Sequence, residues 1–282
     1  MVRCLANSGH PAPAGEALVM NLHHLARMLL ANADIDAKAA GATQLWQASQ
    51  AGTLTGATFQ ETLPLTAPGR PERPILAPPE AMPRRELNSP EGHAALIHAL
   101  THIEFSAINL ALDAVYRFRD LPAEFHSDWL RVAAEEAYHF QLLRDHLRSL
   151  NHDYGDFTAH DGLWELAAKT AHDPLARMAL VPRLMEARGL DVTPGIQSKL
   201  RGYGDKAGAA ILDIILHDEI GHVAIGDRWF RYLCAQRSLD VAATFRDLIR
   251  AAGAPRPRPP FNEAARLRAG FSAAELQALR AG

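Results

Sequence analysis

Four glutamates and two histidines recur in a repeated order within otherwise apolar stretches of this chain. Each half follows the order Glu…Glu-x-x-His, and together the halves comprise Glu104, Glu136, His139, Glu186, Glu219 and His222. The steps from the single glutamate to the motif glutamate are 32 and 33 residues. Carboxylates are rarely placed in apolar surroundings unless something compensates their charge, and two metal ions would do so. The repeat therefore predicts a dinuclear metal site.

The two Glu-x-x-His motifs require helices to bring their side chains together. Positions i and i+3 lie on the same face of a helix, so Glu136 can converge with His139, and Glu219 with His222. Apolar side chains at helical spacing surround the glutamate of the first stripe: Ile97, Leu100, Ile108, Ala111 and Val115. Two such motifs alone are near the level expected by chance. Their placement in four apolar stripes is what predicts a polar centre inside a helical bundle.

The elements that position these residues are predicted to be helices throughout. Long helices are expected at 90–119, 122–150, 173–189 and 205–236, and shorter ones at 163–171 and 238–252. Ser89-Pro90 favours the first start, because serine caps helices and proline suits their first position. Gly189 suits the end of the third helix, and Pro182 would either kink that helix or start it. No segment shows sustained strand alternation, so the predicted fold class is all-α.

The chain divides into four predicted regions. They are an N-terminal helical extension at 1–50, a Pro-rich strap or linker at 51–89, the bundle at 90–236 and a C-terminal helical extension at 237–282. The density of prolines in the second region forbids regular helix and favours an extended conformation. The sequence leaves open whether this region links two parts or wraps over the main one.

Composition narrows the possible classes of protein. The 282 residues are 48% hydrophobic and 22% charged, and the formal net charge is −3. Nucleic acid is therefore not the expected partner. Two cysteines, Cys4 and Cys234, argue against a disulfide framework or an iron–sulfur module and favour a reducing, cytoplasmic location. No apolar run approaches the length of a membrane span, so no membrane partner is expected.

The six-residue pattern resembles the di-iron carboxylate pattern of the ferritin-like superfamily, in which two helices give one Glu each and two give Glu-x-x-His. More closely, His102-Ile-Glu-Phe-Ser-Ala-Ile-Asn-Leu-Ala-Leu-Asp113 and His217-Asp-Glu-Ile-Gly-His-Val-Ala-Ile-Gly226 resemble an uncharacterised bacterial ferritin-like family of unknown function. This resemblance covers nearly the whole chain. It implies a ferritin-like four-helix bundle with extra terminal helices and a Pro-rich strap.

The resemblance also implies how the ligands divide. Glu104, Glu136 and His139 would serve mainly one metal, and Glu186, Glu219 and His222 the other, with Glu136 and Glu219 bridging. Carboxylates plus one imidazole per metal suit two iron ions, or manganese, better than structural zinc. Glu135 and Asp218, which precede the two motifs, are expected to bond the ring nitrogens of the ligand histidines and fix their orientation.

Three functions are compatible with this pattern. The first is a di-iron or di-manganese oxidoreductase that activates O2 to oxidise or hydroxylate a small organic substrate. Its electrons would come from an unidentified donor. The alternative is a ferroxidase or an iron- or oxidant-handling protein. The third is a metal-free structural bundle, which would leave the carboxylates in apolar stripes unexplained.

Several local interpretations compete with the metal site. Glu186 could simply pair with Arg183 or Arg188, which are near it in sequence. Two further pairs at helical spacing, His98 with His102 and Asp213 with His217, could hold a metal. A solvated surface or a core hydrogen bond is the expected role of each pair.

Overall fold

The computed structural model describes residues 20–56, 65–78, 81–82 and 89–281. Residues 1–19 of the predicted N-terminal extension lie outside the described residues, as do 57–64, 79–80 and 83–88 of the Pro-rich region and residue 282. Within the described ranges, regular strand is limited to β1 (Met20–Asn21), which pairs in parallel with β2 (Leu54–Thr55). The rest of the regular structure is helical, which confirms the all-α prediction.

The helices follow one another through most of the described chain. In order, they are α1 (Leu22–Ala31), α2 (Ile35–Gln50), α3 (Pro90–Arg117), α4 (Ala123–Ser149), α5 (Gly162–Lys169), α6 (Pro174–Leu180), α7 (Ala187–Tyr203), α8 (Lys206–Gln236), α9 (Val241–Ala251), α10 (Glu263–Arg268) and α11 (Ala273–Ala281). A π-helical segment, Val181–Glu186, joins α6 to α7 without a break.

Local capping explains the starts of the long helices, which fall within one residue of their predicted positions. The Ser89 hydroxyl accepts a hydrogen bond from the Gly92 amide at 3.0 Å, with Pro90 at the first helical position. The Asp173 side chain accepts from the Leu175 amide at 3.0 Å at the start of α6. These caps satisfy amides that have no partner inside the helix.

The predicted end of the third helix at Gly189 is wrong, because α6, the π-helical segment and α7 form one run through that residue. Pro194 lies inside α7 and cannot donate to the Leu190 carbonyl. The Asn262 side chain donates to that carbonyl instead, at 3.2 Å, and so compensates the lost bond. The run ends at Gly204, whose φ of +99° is the left-handed conformation that glycine adopts readily.

The long helices pack side by side, and their buried apolar side chains form three clusters, the largest of which includes residues of α3, α4 and α8. α3 lies along α4, α7 lies along α8, and α4 also packs against α8. α1 packs on α3, and α2 packs on α4, so the N-terminal helices contribute to the same core as the long ones. This arrangement brings α3, α4, α8 and the π-helical segment to the centre of the molecule.

Helix α3 is the one helix among the described residues that is long and apolar enough to cross a membrane. About two-thirds of its most apolar window is buried against the rest of the protein, 67% by residue. α1, α4 and α5 all contact it. Its apolar character is therefore accounted for by its position in the core.

The described part of the Pro-rich strap wraps over the helices. The Gly69 amide donates to Leu30 at 2.8 Å, and the Lys38 ammonium donates to the Gly69 carbonyl at 2.7 Å. A side chain at Gly69 would collide with the backbone of Ala31. Trp164 donates its indole N–H to Thr66 at 3.0 Å. These contacts hold Thr66 and Gly69 of this region against the helices.

Candidate metal centre

Four helical segments bring the six predicted ligands to one buried cluster. α3 supplies Glu104, α4 supplies Glu136 and His139, the end of the π-helical segment supplies Glu186, and α8 supplies Glu219 and His222. Four of them, Glu104, Glu136, His139 and Glu219, place one ligand atom each within 4.8 Å of one another. The side chains of Glu136, His139 and His222 are fully buried. The repeat noticed in the sequence therefore converges in space.

Glu136 lies between the two histidines. Its Oε2 is 3.4 Å from Nδ1 of His139, and its Oε1 is 3.0 Å from Nδ1 of His222. Glu104 approaches the first histidine, with Oε2 at 3.3 Å from Nδ1 of His139. Glu219 approaches the second, with Oε1 at 3.5 Å from Nδ1 of His222. The two carboxylate oxygens of Glu136 thus face different halves of the cluster.

Two acidic residues contact Nε2 of the two histidines, and each contacts the histidine of the other motif. Asp218, beside the second motif, has Oδ2 at 3.0 Å from Nε2 of His139 in the first. Glu135, beside the first motif, has Oε2 at 2.8 Å from Nε2 of His222 in the second. Arg131 in turn donates to Glu135 at 2.8 Å. In a neutral ring whose Nε2 donates to the acid, Nδ1 carries no proton, and its lone pair faces the carboxylates of the cluster.

The carboxylates repel one another in the absence of compensating cations. Burial and the charge of Glu136 raise the pKa of Glu104 to about 8. Burial and the charges of Glu219 and Glu136 raise the pKa of Glu186 well above its ordinary value. For Glu136 itself, burial and Glu219 oppose ionisation, but the two histidines outweigh them and hold its pKa below the usual range. Without cations, Glu104 and Glu186 therefore favour the protonated, neutral form, because the cluster cannot hold four negative charges close together at low solvent exposure.

The pKa values of the two histidines are also raised, so their rings favour the positively charged form. Burial lowers the pKa of His139, but the carboxylates of Glu104 and Glu136, at 3.3 and 3.4 Å from its Nδ1, outweigh burial and raise it to about 11. Burial likewise opposes protonation of His222, while Glu136 and Glu219 raise its pKa well above the ordinary value. Protons on these rings would supply the positive charge that the carboxylates attract, which is the role a metal cation would take.

Unpartnered polar atoms test whether the residues fit a metal. Buried atoms without a hydrogen-bond partner among the described residues include six from the cluster: Glu104 Oε2, Glu136 Oε1, Glu136 Oε2, Glu186 Oε2, His139 Nδ1 and His222 Nδ1. An unsatisfied buried acceptor costs about 1–3 kcal/mol, more for a charged group. All six atoms are of the kinds that iron and manganese bind. The cluster therefore fits a pair of such ions.

The π-helical segment delivers Glu186 to the cluster. Pro182 lies in the first turn of this segment, Val181–Glu186, next to its first residue, where a missing backbone donor costs least. Gly226 of α8 allows the proline ring to pack closely, since a Cβ there would lie 2.3 Å from Cβ of Pro182. Beyond the proline itself, nothing in the amino-acid sequence indicates the π-helical geometry.

The arginines near Glu186 in sequence bond elsewhere. Arg183 donates to Asp227 at 2.7 Å and also to Glu275. Arg188 donates to the Arg258 carbonyl at 2.7 Å. The electrostatic neighbours that raise the pKa of Glu186 are the carboxylates of the cluster. The simple ion pair considered for Glu186 is not what these arginines form.

The other histidine pairs have structural partners. Nε2 of His98 accepts from the Gly155 amide at 3.0 Å. His102 bonds through Nδ1 to the Tyr154 hydroxyl at 2.8 Å and through Nε2 to the His160 carbonyl at 3.1 Å. Asp213 accepts from Gln197 at 2.6 Å. Hydrogen bonds thus account for His98, His102 and Asp213.

Sequence reasoning missed a second group of potential ligands. Nε2 of His93 and Nε2 of His146 lie 2.7 and 2.8 Å from the same oxygen, Oδ2 of Asp205. The three residues of this triad lie far apart in sequence, in α3, in α4 and at the start of α8. Asp205 is explained locally as a helix cap, because its Oδ1 accepts from the Gly208 amide at 2.7 Å.

The fold and site together define an all-helical protein with a buried carboxylate–histidine cluster. The chain belongs to the DUF455 family, described as a protein of unknown function, whose pattern matches residues 31–277. A relative from Haemophilus influenzae (strain KW20 / Rd), named "Uncharacterized protein", is 50% identical over 213 residues, covering 73% of this chain and 74% of the relative. No solved structure shows significant similarity to the chain.

Proposed function

We propose that this protein is a di-iron or di-manganese carboxylate oxidoreductase that uses O2 to oxidise or hydroxylate a small organic molecule. The observation that carries the proposal is Glu136, a fully buried carboxylate with one oxygen 3.4 Å from His139 Nδ1 and the other 3.0 Å from His222 Nδ1. A carboxylate that faces two separate imidazole lone pairs is suited to bridging two cations.

The proposed architecture is a ferritin-like four-helix bundle. Its four members would be α3, α4, the continuous run from α6 to α7, and α8. Two of these carry one glutamate each toward the centre, and two carry a Glu-x-x-His motif, which is the ligand distribution of ferritin-like di-metal proteins. The remaining helices and the strap would cover this bundle.

The chain's own residues would hold and orient the ions. Glu104 with His139, and Glu186 with His222, would each serve one ion, while Glu136 and Glu219 would bridge. When bound, two iron or manganese ions supply redox chemistry toward O2. Asp218 and Glu135 would keep the Nδ1 atoms of the histidines available as ligands. An external electron donor and a cytoplasmic location complete the proposal.

A ferroxidase is the second candidate. Three acidic side chains at the cluster are partly exposed: Asp218 by 24%, Glu135 by 22% and Glu219 by 14%. This acidic opening would attract Fe(II) from solution and favours exchange of the metal rather than a permanently enclosed cofactor. In that case iron would be the substrate.

Anaerobic titration with Fe(II) tests the proposed site. The protein should bind two ions per chain, and Glu136→Gln, which keeps the shape but removes the charge, should bind fewer than one tightly. Glu124→Gln is the matched control, since Glu124 is an exposed glutamate on the same helix. Retention of two tightly bound ions by Glu136→Gln would contradict the proposal.

Exposure of the loaded protein to O2 separates the two candidate functions. An oxidoreductase should keep its two ions and form an oxidised product when a reductant and candidate organic substrates are present. A ferroxidase should oxidise successive additions of Fe(II) and release or accumulate ferric iron beyond two ions per chain. The metal count and product analysis by mass spectrometry therefore give opposite results for the two.

A further inference from the structure

A cavity of about 380 Å³ lies between α9, α11 and the π-helical segment. Its volume is within the range of small-molecule sites, about 300–1,000 Å³. None of the six candidate ligands, nor Glu135 or Asp218, lines it. Apolar walls come from Phe245, Ile249, Phe271 and Leu279.

Arginines dominate the charged lining of this cavity. Arg183, Arg246, Arg250 and Arg256 contribute four positive charges, and Glu275 contributes one negative charge. Arg246, Arg250 and Arg256 are exposed, whereas the side chain of Arg183 is only 1% exposed. The cavity thus combines an exposed positive side with a buried guanidinium and an apolar interior.

The buried guanidinium of Arg183 has one nitrogen that makes no hydrogen bond to a described residue. Arg183 donates from Nε to Asp227 and from Nη2 to Glu275, and three phenylalanine rings surround it, with Phe245 nearest at 4.3 Å from ring centroid to Cζ. Nη1 has no hydrogen-bond partner among the described residues. A buried donor without a partner costs about 1–3 kcal/mol, which an acceptor atom of a ligand would offset.

We infer that this cavity binds a small organic anion, with an apolar body packed on Phe245 and Ile249 and an acidic head group bound by arginine. A carboxylate or phosphate oxygen can accept a hydrogen bond from Nη1 of Arg183, and the exposed arginines of the lining add positive charge. This site goes beyond the proposed metal chemistry and does not depend on it. Arg183 lies three residues before Glu186 in the π-helical segment, so the ligand would bind to the same segment that presents Glu186 to the cluster.

Calorimetric titration of the full chain with octanoate and with octyl phosphate tests this site, with 1-octanol as the uncharged control. At least one anion should bind saturably at one per chain, and 1-octanol at least tenfold more weakly. Arg246→Glu should weaken binding of that anion about tenfold or more. Ala278→Trp, which fills the cavity from an exposed position on α11, should do the same without a change of charge.

Arg268→Glu provides the matched control, because Arg268 is exposed on α10 and does not line the cavity. It makes the same change in net charge as Arg246→Glu and should leave binding within about twofold of the wild-type value. Absence of saturable binding for both anions would overturn the assignment. Equal binding of 1-octanol, or equal losses in Arg246→Glu and Arg268→Glu, would overturn it as well.

Discussion

Two clusters of histidine and carboxylate side chains draw on the same three helices, and they differ in how their polar atoms are satisfied. In the triad of His93, His146 and Asp205, one aspartate oxygen accepts from both rings, at 2.7 and 2.8 Å, and the other caps α8. In the six-residue cluster, six buried oxygen and nitrogen atoms have no hydrogen-bond partner among the described residues.

This difference teaches that ligand chemistry alone does not mark a metal site. Both clusters offer imidazoles and carboxylates within metal-binding distance. The triad balances two donors against one acceptor and needs nothing further. The six-residue cluster gathers four carboxylates around two rings, and that excess of buried acceptors requires added positive charge. Under the proposed function, the triad has a structural role and the larger cluster binds metal.

The largest expected effect on stability comes from the triad. Asp205→Ala removes a helix cap and the acceptor of two histidine hydrogen bonds, so the free energy of unfolding should fall by about 2–4 kcal/mol. Denaturant titration measures this loss. The same variant, under conditions where it is folded, should still bind two iron ions per chain. Loss of one ion would mean that the triad, too, holds metal, and would break the comparison.

Replacement of Asp218, whose carboxylate contacts Nε2 of His139, should have the next largest effect, and this effect is on metal affinity. Asp218→Asn weakens the hydrogen bond that orients the ring, and metal affinity should fall about 10–100-fold, as is typical for residues behind a metal ligand. Anaerobic competition with a chelator measures the affinity. Asp213→Asn, an exposed change on the same helix, should leave it unaltered. Unchanged affinity in Asp218→Asn would remove Asp218 from the centre.

The pH dependence of stability tests the difference between His102, which has hydrogen-bond partners, and His139 of the six-residue cluster. Burial lowers the pKa of His102 to about 4, whereas the carboxylates raise that of His139. At His102 the unfolded chain therefore binds more protons than the folded protein between pH 6.5 and about 4, so the contribution of this residue to stability decreases as pH falls through that window. From pH 6.5 to 5 the contribution of His102 is about 1–2 kcal/mol.

Unfolding titrations of wild type and His102→Gln at several pH values measure this contribution. Between pH 6.5 and 5 the wild type should lose about 1–2 kcal/mol of stability relative to the variant, because glutamine does not titrate. Parallel pH profiles of the two proteins would show that His102 is already charged in the fold, contrary to its hydrogen bonds with Tyr154 and His160.

The smallest expected change is in the metal-free protein. Glu186→Gln removes a carboxyl group that has no hydrogen-bond partner for Oε2 and is surrounded by other carboxylates. The free energy of unfolding without metal should be unchanged or up to about 1 kcal/mol higher. Thermal unfolding in the presence of chelator measures it. A loss above about 2 kcal/mol would mean that Glu186 is satisfied without metal and would make the two clusters alike.

The sequence predicted those features that depend on neighbouring residues. Ser89 and Asp173 act as caps within three positions, and the i, i+3 spacing places each motif glutamate beside its histidine. Features that depend on distant partners were not predictable. The third helix continues past Gly189 because Asn262 satisfies the Leu190 carbonyl from 72 residues away.

The site shows the same division between local and distant information. Glu135 and Asp218 were expected to bond histidines, but only the packing of α4 against α8 shows that each reaches the histidine of the other motif. The triad was missed because Asp205 has an ordinary explanation as a cap. The π-helical segment was missed because proline spacing alone does not distinguish it from a kink.

X-ray absorption at the iron edge, after anaerobic loading with Fe(II), tests the central claim most directly. Two cations bridged by Glu136 should give two ions per chain and scattering from a second iron at roughly 3.5–4 Å. That scattering should be absent from Glu136→Gln and preserved in Glu124→Gln. A single ion per chain without a neighbouring iron in the wild-type protein would contradict the dinuclear centre.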